Sequence, residues 1–336
     1  MKPSPRMYFA SLVLVLLGLV PIYAAYLGEP FYLTLFGRML IFAIAASSLN
    51  LILGYGGMVS FGHALYFGIG SYVVGILASH GLLNGWMHLT ATVACCAIVA
   101  VLTGLVALRT NGIAFIMITL AFSQMFYFLF VSLKQYGGDD GLSIGGRSNF
   151  GSVDFNNGTV FYYVCYVTLL AVMFAGFRLV HARFGMVLRG SRSNGRRMLA
   201  LGFPTLRYRL TAYVLSAMTC GVAGMLYANL TLFSSPSYLS WTMSGDLIVM
   251  VVLGGVASLM GPVLGAISLS LLEEALKAYS EHWMMILGLL IVGIVLLTKR
   301  GIYGFIQDWE QFGAASSSLS GSAVTSAKYD KQGEAQ

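Results

Sequence analysis

The sequence predicts an all-α, polytopic transmembrane helical bundle, and three observations carry that prediction. Hydrophobic residues fill 58% of the 336 positions and charged residues only 9%, against about 25% charged in a soluble domain. Apolar stretches follow one another with short breaks, each close to the ~20 residues that cross a ~30 Å hydrocarbon core. The 40 glycines make up roughly 12% of the chain against a usual ~7%, which suits helices packed closely in a membrane.

The stretches lie near 8–27, 31–53, 64–84, 87–108, 112–133, 159–180 and 208–233, followed by a long apolar zone at 244–276 and a last span at 283–298. The first has a basic tip (Lys2, Arg6) like a signal peptide, but it is long enough to span and no small-x-small cleavage site ends it, so a retained helix is expected. Charge then sets the sides. Lys2 and Arg6 place the N-terminus inside, Arg109 marks an inside turn, the Gly/Asp loop 134–158 lies outside, and the arginine-rich loop 181–207 lies inside. Lys299 and Arg300 also want the inside, so 244–276 has to cross twice or re-enter. Gly254, Gly255, Gly261 and Pro262 supply the breaks for that hinge. The expectation is about ten crossing segments within a transmembrane domain at 1–307, both termini cytoplasmic, and a disordered cytoplasmic tail at 308–336 rich in Ser, Gly and Ala.

Eight of the nineteen basic residues (Arg178, Arg183, Arg189, Arg192, Arg196, Arg197, Arg207, Arg209) crowd into one 32-residue stretch without an acid. This reads as positive-inside bias rather than a nucleic-acid surface, because aromatic stacking platforms are missing. Cys95, Cys96, Cys165 and Cys220 lie in apolar segments, match no metal pattern and read as packing residues. No phosphate-binding Gly-x-x-x-x-Gly-Lys-Ser/Thr loop, zinc-type His/Glu spacing or nucleophile elbow occurs. No metal, cofactor, catalytic residue or nucleic-acid partner is expected, and the lipid bilayer is the surrounding medium.

Polar and glycine-rich interruptions of the spans are the candidate functional residues. Asn50, Gly54, Gly57, Ser60 and His63 fall in one segment, 49–63. Unwound backbone at membrane depth is tolerated where protein buries it or where it lines a cavity, and broken helices offer polar groups to a solute near the midplane; the same glycines also permit close packing. His63 alone reads more readily as a satisfied buried histidine. Thr119, Ser123 and Gln124 recur at helical spacing and either line a path or cement two helices. Asp246 begins the long apolar zone and Glu273 and Glu274 end it; the glutamates are expected at the membrane interface, and Asp246 is open between interface and path. In the basic loop, 198–202 reads as a short helix closed by Gly202, and the apolar Met198, Leu199, Leu201 and Phe203 beside the arginines suit a protein-docking knob.

Five blocks in order carry a more specific signal: 50–70 (NLILGYGGMVSFGHALYFGIG), 116–124 (IMITLAFSQ), 137–142 (GGDDGL), 185–202 and 252–266 (VLGGVASLMGPVLGA). In these the chain resembles the branched-chain amino-acid ABC permease family. The resemblance implies an inner-membrane permease paired with a second, related permease subunit, two cytoplasmic ATP-binding subunits that hydrolyse ATP on the permease's behalf, and a periplasmic solute-binding protein. It further implies an ATPase-coupling loop formed by Arg189, Arg192, Asn194, Arg196, Arg197, Ala200, Leu201 and Gly202. The family usually carries Arg-Glu-Asn-Glu where this chain has Arg192, Ser193, Asn194 and Gly195; losing both acids predicts a dedicated ATPase with compensating acids. Leucine, isoleucine and valine are the expected solutes, with urea or short amides as the alternative. An ion-coupled secondary transporter, or more remotely a membrane-embedded enzyme, are the other classes, separated from the first by the energy source.

Overall fold

The computed structural model describes residues 5–151, 154–297 and 301–304, which form a helical bundle with one two-stranded ribbon. The expected tail at 308–336 lies outside the described residues, as do Lys2, Lys299 and Arg300. Helices α1 (Pro5–Leu27) and α2 (Pro30–Asn50) open the chain, and α2 continues into a π-helical turn, Leu51–Tyr55. Then come α3 (His63–Ser79), α4 (Gly85–Ala107) and α5 (Ile113–Ser132). After a loop follow α6 (Gly158–His181), α7 (Arg183–Ala200) and α8 (Thr205–Thr231). The chain then forms α9 (Trp241–Gly254), α10 (Gly261–Tyr279) and α11 (Trp283–Leu297). Among the described residues, six helical segments are long and apolar enough to cross a membrane: α1, α2 with its π-turn, α4, α5, α6 and α8.

Small side chains set the centre of the bundle. Helix α8 packs against α2, α3 and α4, and its buried row includes Ala212, Ser216, Ala217, Cys220, Gly221 and Gly224. A Cβ at Gly224 would strike the Phe67 backbone of α3, and one at Gly70 of α3 would strike the Gly221 carbonyl. With no water to drive helices together, such close approach maximises dispersion contact. Cys96, Cys165 and Cys220 are buried, and all four cysteines are free thiols.

The long apolar zone resolves into two antiparallel helices. Gly254 ends α9, Gly255 takes φ +121°, and α10 starts at Gly261 with Pro262 in its first turn. The glycines at the expected break also let the pair approach, since a Cβ at Gly254 would meet the Gly261 carbonyl and one at Gly265 the Met250 carbonyl.

Helix α1 shows how a proline is accommodated. Pro21 lies inside it and has no N–H to give the carbonyl four residues back, that of Leu17. The Tyr162 hydroxyl of α6 donates to that carbonyl instead, at 2.7 Å, and the Tyr166 hydroxyl donates to Leu14 at 2.9 Å. The orphaned acceptor thus becomes a link between helices, as the membrane interior requires.

Two ends of the bundle differ in charge. One collects α7, the α4–α5 turn with Arg109, and the start of α8 with Arg207 and Arg209; we call it the basic end. The other carries the loop between α5 and α6, with exposed Asp139 and Asp140. That loop is tied down: β1 (Leu142–Ser143) pairs antiparallel with β2 (Phe233–Ser234) just after α8, and Ser148 N donates to Asn229 Oδ1 at 2.7 Å.

Candidate functional site

The segment after Asn50 carries most of the candidate residues. Asn50, 3% exposed, uses its amide to cross-link the end of α2 to the α9–α10 turn: Nδ2 donates to the Ser258 carbonyl at 2.7 Å, and Oδ1 accepts from Ala257 N at 3.0 Å. The next five residues widen into the π-turn, with Met58 N closing onto the Ile52 carbonyl at 2.9 Å. π-Turns inside α-helices concentrate at functional sites. Gly54 is buried against Ala257, and Gly57, at φ +68°, lies under the Arg192 side chain. A larger residue at 57 meets both a strained backbone and an occupied space. Replacing Asn50 with Ala leaves a buried donor and acceptor unmatched, a cost of about 1–3 kcal/mol each. The expected result is a melting point in detergent several degrees below wild type; an unchanged value would contradict the cross-link.

The sequence leaves the 49–63 segment open between lining a path and packing helices closely. In the structure it descends to the basic end and returns. Arg192 of α7 donates a hydrogen bond to the Gly54 carbonyl. Arg209 of α8 reaches Asn111 Oδ1 at 2.9 Å and the Met58 sulfur at 3.3 Å. A cavity of about 200 Å³ opens here, bounded by Gly57, Asn111, Phe115, Ser191, Arg192 and Arg209. Only the return limb climbs back: His63, the first residue of α3, sits beside Ser216, eleven residues and so roughly 16 Å along α8 from its start.

His63 is fully buried. Its Nε2 lies 2.8 Å from Ser216 Oγ, and Ser216 donates in turn to the Ser48 carbonyl at 2.5 Å. Nδ1 has no partner. Its ring packs edge-on against Tyr66 and Tyr213, whose hydroxyls bond at 3.0 Å. Ser60 is buried and accepts from Gly62 N at 3.2 Å. Thr119 Oγ1 accepts from Phe61 N at 3.2 Å and donates to the Ile116 carbonyl, and Ser123 donates to the Leu239 carbonyl at 2.7 Å. These hydroxyls tie α5 to the return limb and to the short 3-10 helix Pro236–Leu239. Gln124 differs, since its Nε2 is buried with no partner. Asp246 is exposed on α9, with no hydrogen bond or ion pair among the described residues. Glu273 is partly buried. It is 15% exposed and accepts from Arg38 Nη2 at 3.0 Å. Sequence reasoning did not single out Arg38, although a lone arginine inside an apolar span was a usable signal.

The basic loop is mostly helix. Asn194, at φ −154° and ψ 92°, breaks α7 in two. Its Oδ1 then accepts from Arg197 N at 3.0 Å, capping the second piece. Gly202 takes φ +86°, with Gly202 N bonding the Leu199 carbonyl and Phe203 N the Met198 carbonyl, so a short helix ends on the expected glycine. Arg189 turns inward to the Gly185 and Val180 carbonyls at 3.3 and 3.2 Å. Arg196, Arg197 and Ala200 are exposed, as are Leu199, Leu201 and Phe203 at 57, 65 and 40%. Three exposed apolar side chains among cations form an unpartnered patch at the basic end.

The fold and this site define a multi-pass, all-α membrane protein whose basic end presents an exposed helix hydrogen-bonded to a broken span. The family model described as "Branched-chain amino acid transport system / permease component" matches residues 31–295, and the chain belongs to that family of ABC transporter permeases. It is 27% identical over 287 residues to the high-affinity branched-chain amino acid transport system permease protein LivM of Salmonella typhimurium, covering 78% of this chain and 68% of that protein. It is 24% identical to the corresponding permease protein LivH of Escherichia coli, covering 78% and 91%, and 25% identical to a probable LivM of Methanocaldococcus jannaschii, covering 74% and 82%. No solved structure matches the chain.

Proposed function

We propose that this chain is the inner-membrane permease subunit of an ATP-driven importer for branched-chain amino acids. It crosses about ten times, through α1–α6 and α8–α11, with the basic end in the cytoplasm by the positive-inside bias. The observation that carries the reading is the contact between α7 and the π-turn: the helix bearing the exposed apolar patch also holds the Gly54 carbonyl through Arg192. A partner that moves α7 therefore pulls on the end of α2, and through Asn50 on the α9–α10 turn. In this reading one of two cytoplasmic ATPases docks on the coupling loop 189–202, a second related permease completes the membrane unit and carries the other, and a periplasmic binding protein delivers solute at the acidic end. Relatives of both the LivM and the LivH kind support a pair of permeases. The uniformly basic patch favours an ATPase surface rich in acids.

Leu201→Glu places a carboxylate in the centre of the patch. The expected result is at least about a tenfold loss of ATPase co-purification, the equivalent of roughly 1.4 kcal/mol; undiminished capture would put the docking surface elsewhere. Uptake of labelled leucine and labelled urea, in cells with and without the chain, tests the substrate. Leucine uptake is expected to depend on the chain. Dependence of urea uptake alone would keep the architecture and replace the solute.

A further inference from the structure

Three ionisable side chains lie high in the bundle on neighbouring helices, Arg38 on α2, Asp246 on α9 and Glu273 on α10. Arg38 and Glu273 each lie twelve residues from the cross-link at the basic end (Asn50 on one side, Gly261 on the other), and Asp246 lies eight residues before Gly254. At about 1.5 Å per residue these are heights of roughly 18 and 12 Å, inside a hydrocarbon core ~30 Å thick. Charges at such depth face a bundle interior or a wet cavity rather than lipid.

The cluster is incompletely satisfied. Arg38 gives Nη2 to Glu273 Oε2 at 3.0 Å and lies 5.6 Å from the Phe42 ring centre, but its buried Nε has no partner. Lys277 stands 4.0 Å from the same Glu273 oxygen, with its own ammonium over Trp283 at 4.7 Å. Asp246 lies within electrostatic reach of the Glu273 carboxylate and has no cation partner among the described residues. Tyr227 and Tyr238 lie within electrostatic reach of Arg38, their rings 5.2 Å apart. The Arg38 side chain keeps 29% of its surface accessible beside its bond to Glu273, and Asp246 is exposed on this chain.

We propose that Arg38, Asp246 and Glu273 recognise the two charges of a zwitterionic α-amino acid during transport. The open guanidinium face takes the α-carboxylate, and Asp246, assisted by Glu273, takes the α-ammonium. Neutral solutes such as urea have no use for such a pair, so the site deepens the amino-acid reading and rests on it. Arg38 does double duty: with Glu273 it ties α2 to α10 when the site is empty, and it exchanges part of that bond for substrate.

The test is leucine uptake by the assembled transporter, with basal ATP hydrolysis and subunit co-purification measured on the same preparations. Asp246→Asn removes a charge that bonds nothing among the described residues, so subunit co-purification is expected to stay at wild-type level. Uptake is expected to fall at least about tenfold, the worth of one charge-assisted hydrogen bond, and Asp246→Glu is expected to restore much of it. The swap Arg38→Glu with Glu273→Arg preserves an ion pair but reverses its polarity, and is expected to assemble without transporting. Wild-type uptake in Asp246→Asn, or in the swap, would overturn the recognition role and leave only a structural pair. If the wild-type transporter itself carries no leucine, the amino-acid reading fails and this site fails with it.

Discussion

Gly224→Val should leave no properly folded permease. The added Cβ points at the Phe67 backbone, and backbone cannot step aside as a flexible side chain can. Overpacking a well-fitted core costs about 1–3 kcal/mol when neighbours relax. Here relief requires α3 and α8 to separate, which also loosens Gly70 from Gly221 and the His63–Ser216–Ser48 chain alongside. Against a total stability of about 5–15 kcal/mol, the expected outcome is a sharp drop in monodisperse protein after detergent extraction. Gly288→Val on α11 is the control, because a Cβ there meets nothing within 4 Å, and it should behave as wild type. A monodisperse Gly224→Val protein with unchanged melting would mean that α3 and α8 are not packed backbone to backbone.

Arg192→Ala should separate ATP hydrolysis from transport. The exposed apolar patch beyond Asn194 is untouched by this change, so the ATPases still dock. What disappears is the hydrogen bond from α7 to the Gly54 carbonyl and the cover over Gly57. A hydrogen bond made by a charged group is worth about 1.5–3 kcal/mol, so the movement of α2 that follows α7 should weaken by roughly ten- to a hundredfold. Hydrolysis per complex should persist while solute moved per ATP falls. Arg192→Lys should recover part of the effect, because an ammonium reaches the same carbonyl without the guanidinium fork. Full transport in Arg192→Ala would remove the π-turn from the coupling route.

These two variants also mark what the sequence discloses. Gly224 and Gly70 belong to a composition that announces close-packed membrane helices, but their partners are not readable. Helices apolar on every side carry no stripe to say which face meets which neighbour. Breaks were legible where backbone chemistry is local: Gly254, Gly255, Gly261 and Pro262 end one helix and begin the next, and Gly202 closes the short helix of the basic loop. The π-turn and its descent to Arg192 were not, because they depend on Asn50 bonding residues more than 200 positions away. For the same reason Asn50, Ser60 and Thr119, which in sequence look like polar lining, turn out to spend their hydrogen bonds within the protein. Glu273 and Asp246 look alike as isolated acids in apolar surroundings; only the fold separates the one paired with Arg38 from the one left open.

The central claim is that ATP, spent on a partner and passed through α7, drives solute across this chain. Proteoliposomes holding the purified complex test it directly, with labelled leucine and the binding protein outside and ATP inside. Leucine is predicted to accumulate only with hydrolysable ATP, and imposed proton or sodium gradients are predicted to have no effect. Accumulation that follows an ion gradient and ignores ATP would make this chain a secondary transporter and contradict the account.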